Sequence, residues 1–335
     1  MPRCRIYLFT YNRHDLLPRA LNSLINQTFD DWTCELHNDM PCDDFPETCV
    51  QRLGDARIKV VNHPENLGMV GSFNLAFGPC TEDFVSILED DNWWEPDFLE
   101  KMLQVMNRNP GVQVAWANMR LHQELEDGSW KNLQRTIWPA GQPSSTTDFN
   151  FPVARQACIP LHSNGAMLIR NIDLQRLQTP GKLRADFVEH VRERAFRQPL
   201  VLVHEPLANF AVTRRSARPG NTDGIAEHYF LLLCSFFSYA GKDRQLVCGI
   251  WEKIRQSPVM ATHNLIYAGI FDKHCRSLLK EAGINDWLFF IAFQVRHPSM
   301  LVKIRRSKKK YPELWEYLNL RTAEQFTVHA KKKTF

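Results

Sequence analysis

Short apolar runs alternate with segments of helical spacing over the first two thirds of the chain, and helical spacing takes over after that. Residues 5–10, 32–37, 57–61, 84–88, 112–119 and 200–204 carry the compact apolar or alternating patterns expected of strands. Between the first two, Leu16, Leu17, Ala20, Leu21, Leu24 and Ile25 recur on one helical face, with Asp15 as a candidate cap and Pro18 tolerated in the first turn. Helices are also expected over residues 69–77 and 182–196. A further one follows Pro96, with Leu99, Met102, Leu103 and Met106 at helical spacing. Strand–helix alternation of this kind predicts an α/β domain. Residues 128–150, rich in Ser, Thr, Pro and Gly, predict a long surface loop, a candidate lid, and residues 214–220 a basic loop. From residue 225 on, helices are expected over 225–239, 243–255, 262–282, 286–295 and 312–318, which puts a boundary near residue 224.

Composition narrows the class. The 335 residues suffice for a large core, and 44% hydrophobic with 23% charged residues is an ordinary globular balance. Nine cysteines without a CxxC pair suit free thiols in a reducing compartment. Cys34, Cys42, Cys49 and His63 have no standard zinc spacing. The N-terminus enters a strand at once, without a signal-peptide core. Apolar stretches 229–240 and 287–293 fall short of the roughly 20 residues that span a bilayer. The expectation is a cytoplasmic protein, soluble or peripheral at the inner face of a membrane. Net charge is +4, unevenly spread: residues 1–224 sum to about −5 and residues 225–335 to about +9. The acidic front part argues against nucleic-acid binding there.

The densest chemistry follows the apolar run 84–88, where Glu89, Asp90 and Asp91 stand side by side. Adjacent carboxylates at the end of a buried strand repel one another unless a cation or hydrogen-bond donors compensate them. The carboxyl end of a strand, before a helix, is where open α/β sheets bind ligands. A divalent metal and a phosphorylated ligand explain the arrangement economically.

Several further segments occur in a familiar order: Phe9-Thr10-Tyr11-Asn12-Arg13, residues 21–29 (LNSLINQTF), Asn38-Asp39, Asn66-Leu67-Gly68, Asn74 and Glu89-Asp90-Asp91-Asn92. Over about residues 4–215 the chain resembles family-2 glycosyltransferases of the GT-A fold, in particular bacterial enzymes of surface-polysaccharide or spore-coat glycan synthesis. The resemblance implies a Rossmann-like mixed sheet flanked by helices, followed by an α-helical C-terminal region. Residues 1–224 would then be the nucleotide-sugar-binding catalytic domain and 225–335 a basic helical region. It also implies transfer of a sugar, with inversion, from a nucleotide diphosphate donor to a hydroxyl of a glycan or lipid-linked acceptor. A UDP-sugar comes first and a dTDP-sugar second.

Carried over residue by residue, the resemblance gives Thr10, Tyr11 and Arg13 to the nucleotide pocket, Asp39 to the pyrimidine imide NH, and Asp90 to the ribose. Asp91 would hold Mn²⁺ or Mg²⁺; Glu89 stands where the family more often has Asp, which leaves its direct ligation open. Asn66 and Gly68 read either as a tight loop that a ligand approaches or as a helix cap. Asp186 matches the position of the base, with Ala185 where a Glu is common; a helix N-cap is its plainer reading, and Glu189 and Asp173 are substitutes. Trp93 and Trp94 suit the floor of an acceptor site or the core. Ser163, Asn164 and Gly165 match a stretch near the donor sugar, and Arg214 and Arg215 suit the diphosphate or a solvated loop.

Two other classes compete. A nucleotidyltransferase would need a glycine-rich basic phosphate loop near the N-terminus, which is missing; a catalytically silent sugar-nucleotide or glycan-binding module would account for Glu89 and Ala185. In the C-terminal region, residues 287–293 combine with Lys303, Arg305, Arg306, Lys308, Lys309 and Lys310 into a pattern that suits an anionic membrane. A helical appendage packed on the catalytic domain or on another subunit is the plainer reading of the same residues.

Overall fold

The structure is a computed structural model that describes residues 3–139, 141, 145–149, 156–160, 163–197, 199–214, 224–240, 243–256 and 262–332. The chain forms two compact units: residues 1–150, 162–178 and 196–217 make the first, and 151–161, 179–195 and 218–335 the second. The linear division at 224 is therefore replaced by an interleaved one.

The first unit is a mixed ten-stranded sheet with helices. Its parallel centre is β1 (Cys4–Thr10), β2 (Trp32–Asn38), β3 (Ile58–Asn62) and β4 (Phe84–Glu89), in the order β3-β2-β1-β4. The sheet continues from β4 through β9 (Met167–Arg170), β6 (Val114–Glu124) and β10 (Leu200–Val212) to the two-residue β5 (Trp93–Trp94). β9 is antiparallel to both β4 and β6. The first five residues of β4 are all buried, as a strand covered on both faces requires.

Helices α1 (Leu17–Ile25), α2 (Phe45–Leu53), α3 (Gly68–Leu75) and α4 (Phe98–Arg108) complete this unit. α1 buries Leu17, Ala20, Leu21 and Leu24, the expected stripe; its N-cap is Leu16 rather than Asp15. α4 buries Phe98, Leu99, Met102, Leu103, Val105 and Met106, each contributing roughly 1.5–3 kcal/mol. Pro96 lies in the turn before α4, not in its first turn. α2 was not expected: Phe45, Cys49, Val50 and Leu53 only lean against the core, so its apolar signal is weak.

The expected loop at 128–150 instead contains β7 (Trp130–Thr136), antiparallel to β6, and β8 (Thr146–Phe149), antiparallel to β10. β7 is mostly solvated, which explains a composition that reads as loop.

The second unit is helical. Residues 182–196, expected as one helix, form short 3₁₀ turns around the single turn α5 (Val188–Arg192). Arg192, Glu193 and Arg194 are fully buried there: the Glu193 carbonyl accepts from Gln325 Nε2 at 3.0 Å, and the Arg194 guanidinium lies 5.2 Å from the Phe236 ring. These contacts are why 179–195 belong with the later helices. They are α6 (Ile225–Phe237), α7 (Arg244–Gln256), α8 (His263–Phe271), α9 (Ile284–Arg296), α10 (Met300–Lys310) and α11 (Pro312–Lys332). Asp272 ends α8, splitting the expected helix 262–282 into α8 and a 3₁₀ stretch, Lys273–Glu281. Among the described residues no helix is long and apolar enough to cross a membrane.

Two buried histidines make the second unit acid-sensitive. Burial, then the Arg194 charge, lowers His190 to about 3, and burial with His297 lowers His263 to about 4. Both stay neutral when folded, while the unfolded chain binds protons below about pH 6.5. Their stabilising contribution is complete above that pH and is lost as pH falls toward the folded values. Each should remove up to ~1.4 kcal/mol per pH unit. Urea unfolding at about pH 7 and about pH 5 checks this: stability should drop by a few kcal/mol, and equal stabilities would contradict it.

Candidate functional site

Pairing in the parallel centre aligns three strand ends. Thr10 on β1 is opposite Asn38 on β2, and Phe9 is opposite Glu89 on β4. The ladder runs one step further on each side: Asp39 N donates to Thr10 O at 3.0 Å and Asp90 N to Phe9 O at 3.1 Å. Thr10, Tyr11, Asp39 and Asp90, separated by up to 80 positions, are thereby gathered at the carboxyl edge of the sheet.

Asp90 is buried and accepts from three groups. Its Oδ2 takes Thr10 Oγ1 at 2.9 Å and Tyr11 N at 3.3 Å, and its Oδ1 takes Arg13 at 3.4 Å. Burial and then the adjacent Asp91 push its carboxyl up to about 7, against the opposing pull of Arg13, the Thr10 hydroxyl and the Tyr11 NH. Arg13 also pairs with Asp91 Oδ2. Asn12 turns the chain with φ 52°, a left-handed conformation that Asn tolerates, and so returns Arg13 to the acids. Tyr11 is exposed beside them.

Asp39 is held by the protein itself. Its Oδ1 accepts from His63 Nδ1 at 2.9 Å and Leu67 N at 2.8 Å, and its Oδ2 from Gly68 N at 3.0 Å. Of the about four acceptor positions of a carboxylate, one is left for an outside donor. Asn66 Oδ1 also accepts from Gly68 N, at 2.7 Å, closing a tight turn just before α3, whose N-cap is Leu67. Gly68 has φ 68°, a left-handed conformation that favours glycine. Behind Asp39 a buried chain runs from His63 to His37 at 3.0 Å and on to Glu35 at 3.3 Å. Burial, then His63, lowers His37. Neither histidine was singled out for this role, because only the side-by-side parallel pairing of β2 with β3 joins them. Cys34 is buried in the core and His63 is engaged by Asp39, so no zinc set forms.

Glu89 turns toward Asn92, accepting from Nδ2 at 2.7 Å, and packs on Gly165. A Cβ at Gly165 would lie 2.3 Å from Glu89 Oε2, so any larger residue there forces the Glu89 carboxylate to move. Ser163 and Asn164 are buried around the same turn, Asn164–Ala166. Trp94 belongs to the core: it is buried, stacks on Phe98 at 4.2 Å and donates to Gly165 O at 2.7 Å, which removes it from an acceptor floor. Trp93 is half-buried, with the Arg19 guanidinium 3.8 Å from its ring and 4.0 Å from that of Trp130. Arg19 also donates to Asp91 O at 2.8 Å, and burial lowers its pKa to about 10. Arg19 and Trp130 were not foreseen.

Hard oxygen donors beside one another, with a buried acid pushed toward its neutral form, fit a divalent cation. Glu89, Asp90 and Asp91 do not, however, converge on one point. Among the described residues the three-ligand group that does is Cys234, Asp272 and Cys275, where Lys308 already pairs with Asp272 at 2.7 Å. A metal at the acidic loop would thus take one or two protein oxygens, Asp91 first, and complete its shell from ligand and water.

Asp186 lies in the second unit, inside the 3₁₀ turn Ala185–Phe187, and makes no capping bond. Arg184 pairs with its Oδ2 at 2.6 Å, while Oδ1 is buried without a hydrogen-bond partner among the described residues. Asp173, the weaker substitute, is engaged with Arg197 at 3.0 Å. Arg214 is tied to the β6–β7 hairpin through Glu124 Oε2 and Glu126 O, at 2.8 and 3.1 Å, rather than to the acidic loop. Arg215 lies outside the described residues.

A mixed sheet with acids at the carboxyl edge of its parallel strands, together with a helical C-terminal region, defines the GT-A class of α/β fold. Residues 6–166 match the profile of glycosyl transferase family 2. It is 23% identical over 141 residues to an uncharacterized glycosyltransferase of Haemophilus influenzae, covering 41% of this chain and 43% of that one. It is 30% identical over 141 residues to a Campylobacter jejuni GalNAc(5)-diNAcBac-PP-undecaprenol beta-1,3-glucosyltransferase, covering 40% and 45%. These matches span under half the length of the relatives. In fold, the chain is similar to S. aureus TarS 1–349 in complex with UDP-GlcNAc, with TM-score 0.55, 12% identity and coverage of 97% and 89%.

The Glu89–Gly165 contact can be tested alone. Gly165→Ala should cost about 1–3 kcal/mol through the forced clash. The penalty should shrink by more than half in a Glu89→Ala background, measured by chemical unfolding of the four proteins. An undiminished penalty would mean that Glu89 does not occupy that space.

Proposed function

We propose that the chain is a metal-assisted, inverting glycosyltransferase that moves a hexose-type sugar from a nucleotide diphosphate to an acceptor hydroxyl. The observation that carries this reading is the gathering of Thr10, Tyr11, Asp39 and Asp90 at the ends of three adjacent parallel strands. The one acceptor position left on Asp39 matches the single imide NH of uracil, so a UDP-sugar is the first choice of donor and a dTDP-sugar the second. The UDP-GlcNAc bound by TarS supports the same choice. Exposed Tyr11 would cover the base, and Asp90 would take the ribose hydroxyls. Asn66 and Gly68 would shape the loop under the base, and Arg13 would hold the two acids apart in charge.

Asp91 would hold Mn²⁺ or Mg²⁺, with Glu89 assisting through water. Such an ion, when bound, offsets charge on the departing diphosphate. Arg214 and Arg215 remain the candidates for that diphosphate, and Trp93 with Ser163, Asn164 and Gly165 for the sugar and acceptor. In the transfer the acceptor oxygen forms a bond to the anomeric carbon as the carbon–oxygen bond to the diphosphate breaks. The acceptor proton passes to the Asp186 carboxylate, whose Oδ2 is held by Arg184. The relative named for an undecaprenol-linked glycan supports a lipid-linked acceptor.

The engagement of Glu89 with Asn92 and Gly165 favours one alternative, a silent module that binds sugar nucleotides without turnover. A thermal-shift screen of nucleotide diphosphates with and without Mn²⁺, joined to a donor-hydrolysis assay, separates the two. UDP should raise the melting temperature by a few degrees only with metal, since a ligand of the native state stabilises by mass action. Asp91→Ala should abolish that shift. Asp186→Asn should keep it and lower turnover by at least about 100-fold. Turnover retained in Asp186→Asn would remove this base, and binding without any turnover in the parent protein would favour the silent module.

A further inference from the structure

The inner side of α9 is well anchored. Phe290 and Asp286 are buried, Arg255 bonds Asp286 at 2.6 Å, Tyr267 donates to Gln294 at 2.8 Å, and His263 stacks on Phe293 at 3.8 Å. The opposite side carries Ile284, Leu288, Ile291 and Val295, exposed by 73, 58, 55 and 77%. Their spacing of four, three and four residues lines them up along one face, with Ala292 beside them. Single exposed aliphatic residues are unremarkable, but a continuous stripe marks a surface that meets something apolar.

The charge around the stripe selects the partner. Residues 284–310 contain seven Lys and Arg and one acid, the buried Asp286. On α10 the side opposite the buried Ile304 and Ser307 presents Val302, Arg305, Arg306 and Lys309. Lys308 and Lys310 are paired with Asp272 and Glu227, but Arg296, Lys303, Arg305, Arg306 and Lys309 have no acidic partner among the described residues. A second copy of the chain meeting this face across a two-fold axis would bring like charges together. An anionic lipid surface offers hydrocarbon for the stripe and headgroup charge for the cations.

We propose that α9 lies in the interface of an anionic membrane, with Ile284, Leu288, Ile291 and Val295 inserted and the α10 cations on the headgroups. The inference deepens the reading of a lipid-linked acceptor but is tested without donor or acceptor, so failure of either leaves the other standing.

The test is co-sedimentation of the full chain with vesicles of phosphatidylglycerol and phosphatidylcholine, against phosphatidylcholine alone. The protein should sediment with the first and not the second. Leu288→Ser with Ile291→Ser should weaken binding by at least about tenfold, since two aliphatic side chains leave the interface. Arg305→Gln with Arg306→Gln should weaken it by roughly fivefold per charge. Both pairs are exposed, so melting temperatures should stay unchanged. Should a variant fail to fold, the parent protein still decides: about 0.5 M salt should release it from the vesicles. No binding to anionic vesicles, binding unaffected by the aliphatic pair, or retention at high salt overturns the proposal. Self-association in sedimentation velocity that the aliphatic pair abolishes, without vesicle binding, assigns the face to a second copy instead.

Discussion

The site depends on the register in which β1 pairs with β2 and β4. Thr10 opposite Asn38 and Phe9 opposite Glu89 put the last residues of three strands on one line. A slip of one residue in either ladder would turn every side chain of that strand to the other face. It would move Ile6 and Leu8, or Leu88, from the layer they pack in to the opposite face of the sheet and carry Asp39 or Asp90 away from Thr10. The apolar alternation that builds the core therefore also sets where the polar atoms meet, and the pocket needs no separate folding instruction.

The electrostatics follow from that gathering. Three acids close to buried strand ends lose hydration, and the backbone restores part of it: Tyr11 N serves Asp90, and Leu67 N and Gly68 N serve Asp39. Arg13 supplies a guanidinium that faces both Asp90 and Asp91. The compensation is incomplete, since Asp90 remains pushed toward its neutral form. Sites of this kind hold a deficit that a cation or hydrogen-bond donors from a ligand can fill.

Much of the first unit was legible in the chain. The buried run before Glu89 and the stripes of α1 and α4 follow from periodicity, because each element packs against one core. The order of motifs from Phe9 to Asn92 led to the family that residues 6–166 match. What could not be read was of three kinds. Solvated strands such as β7 carry no apolar alternation, so residues 130–136 resemble loop. Contacts between remote segments leave no local trace: Gly165 against Glu89, His63 behind Asp39, and Trp130 facing Arg19 exist only once the sheet is assembled. Trp93 and Trp94 are identical neighbours on a strand, and only the alternation of faces sends Trp94 into the core. The unit boundary was missed because residues 179–195 join the helical unit through buried charged side chains, which in a sequence look like surface.

The most direct test of the account is a crystal structure of the chain with UDP and Mn²⁺. The account predicts the uracil imide NH on Asp39, the ribose on Asp90 and the diphosphate beside Asp91. UDP bound away from the ends of β1, β2 and β4, or uracil turned with its imide away from Asp39, would contradict it.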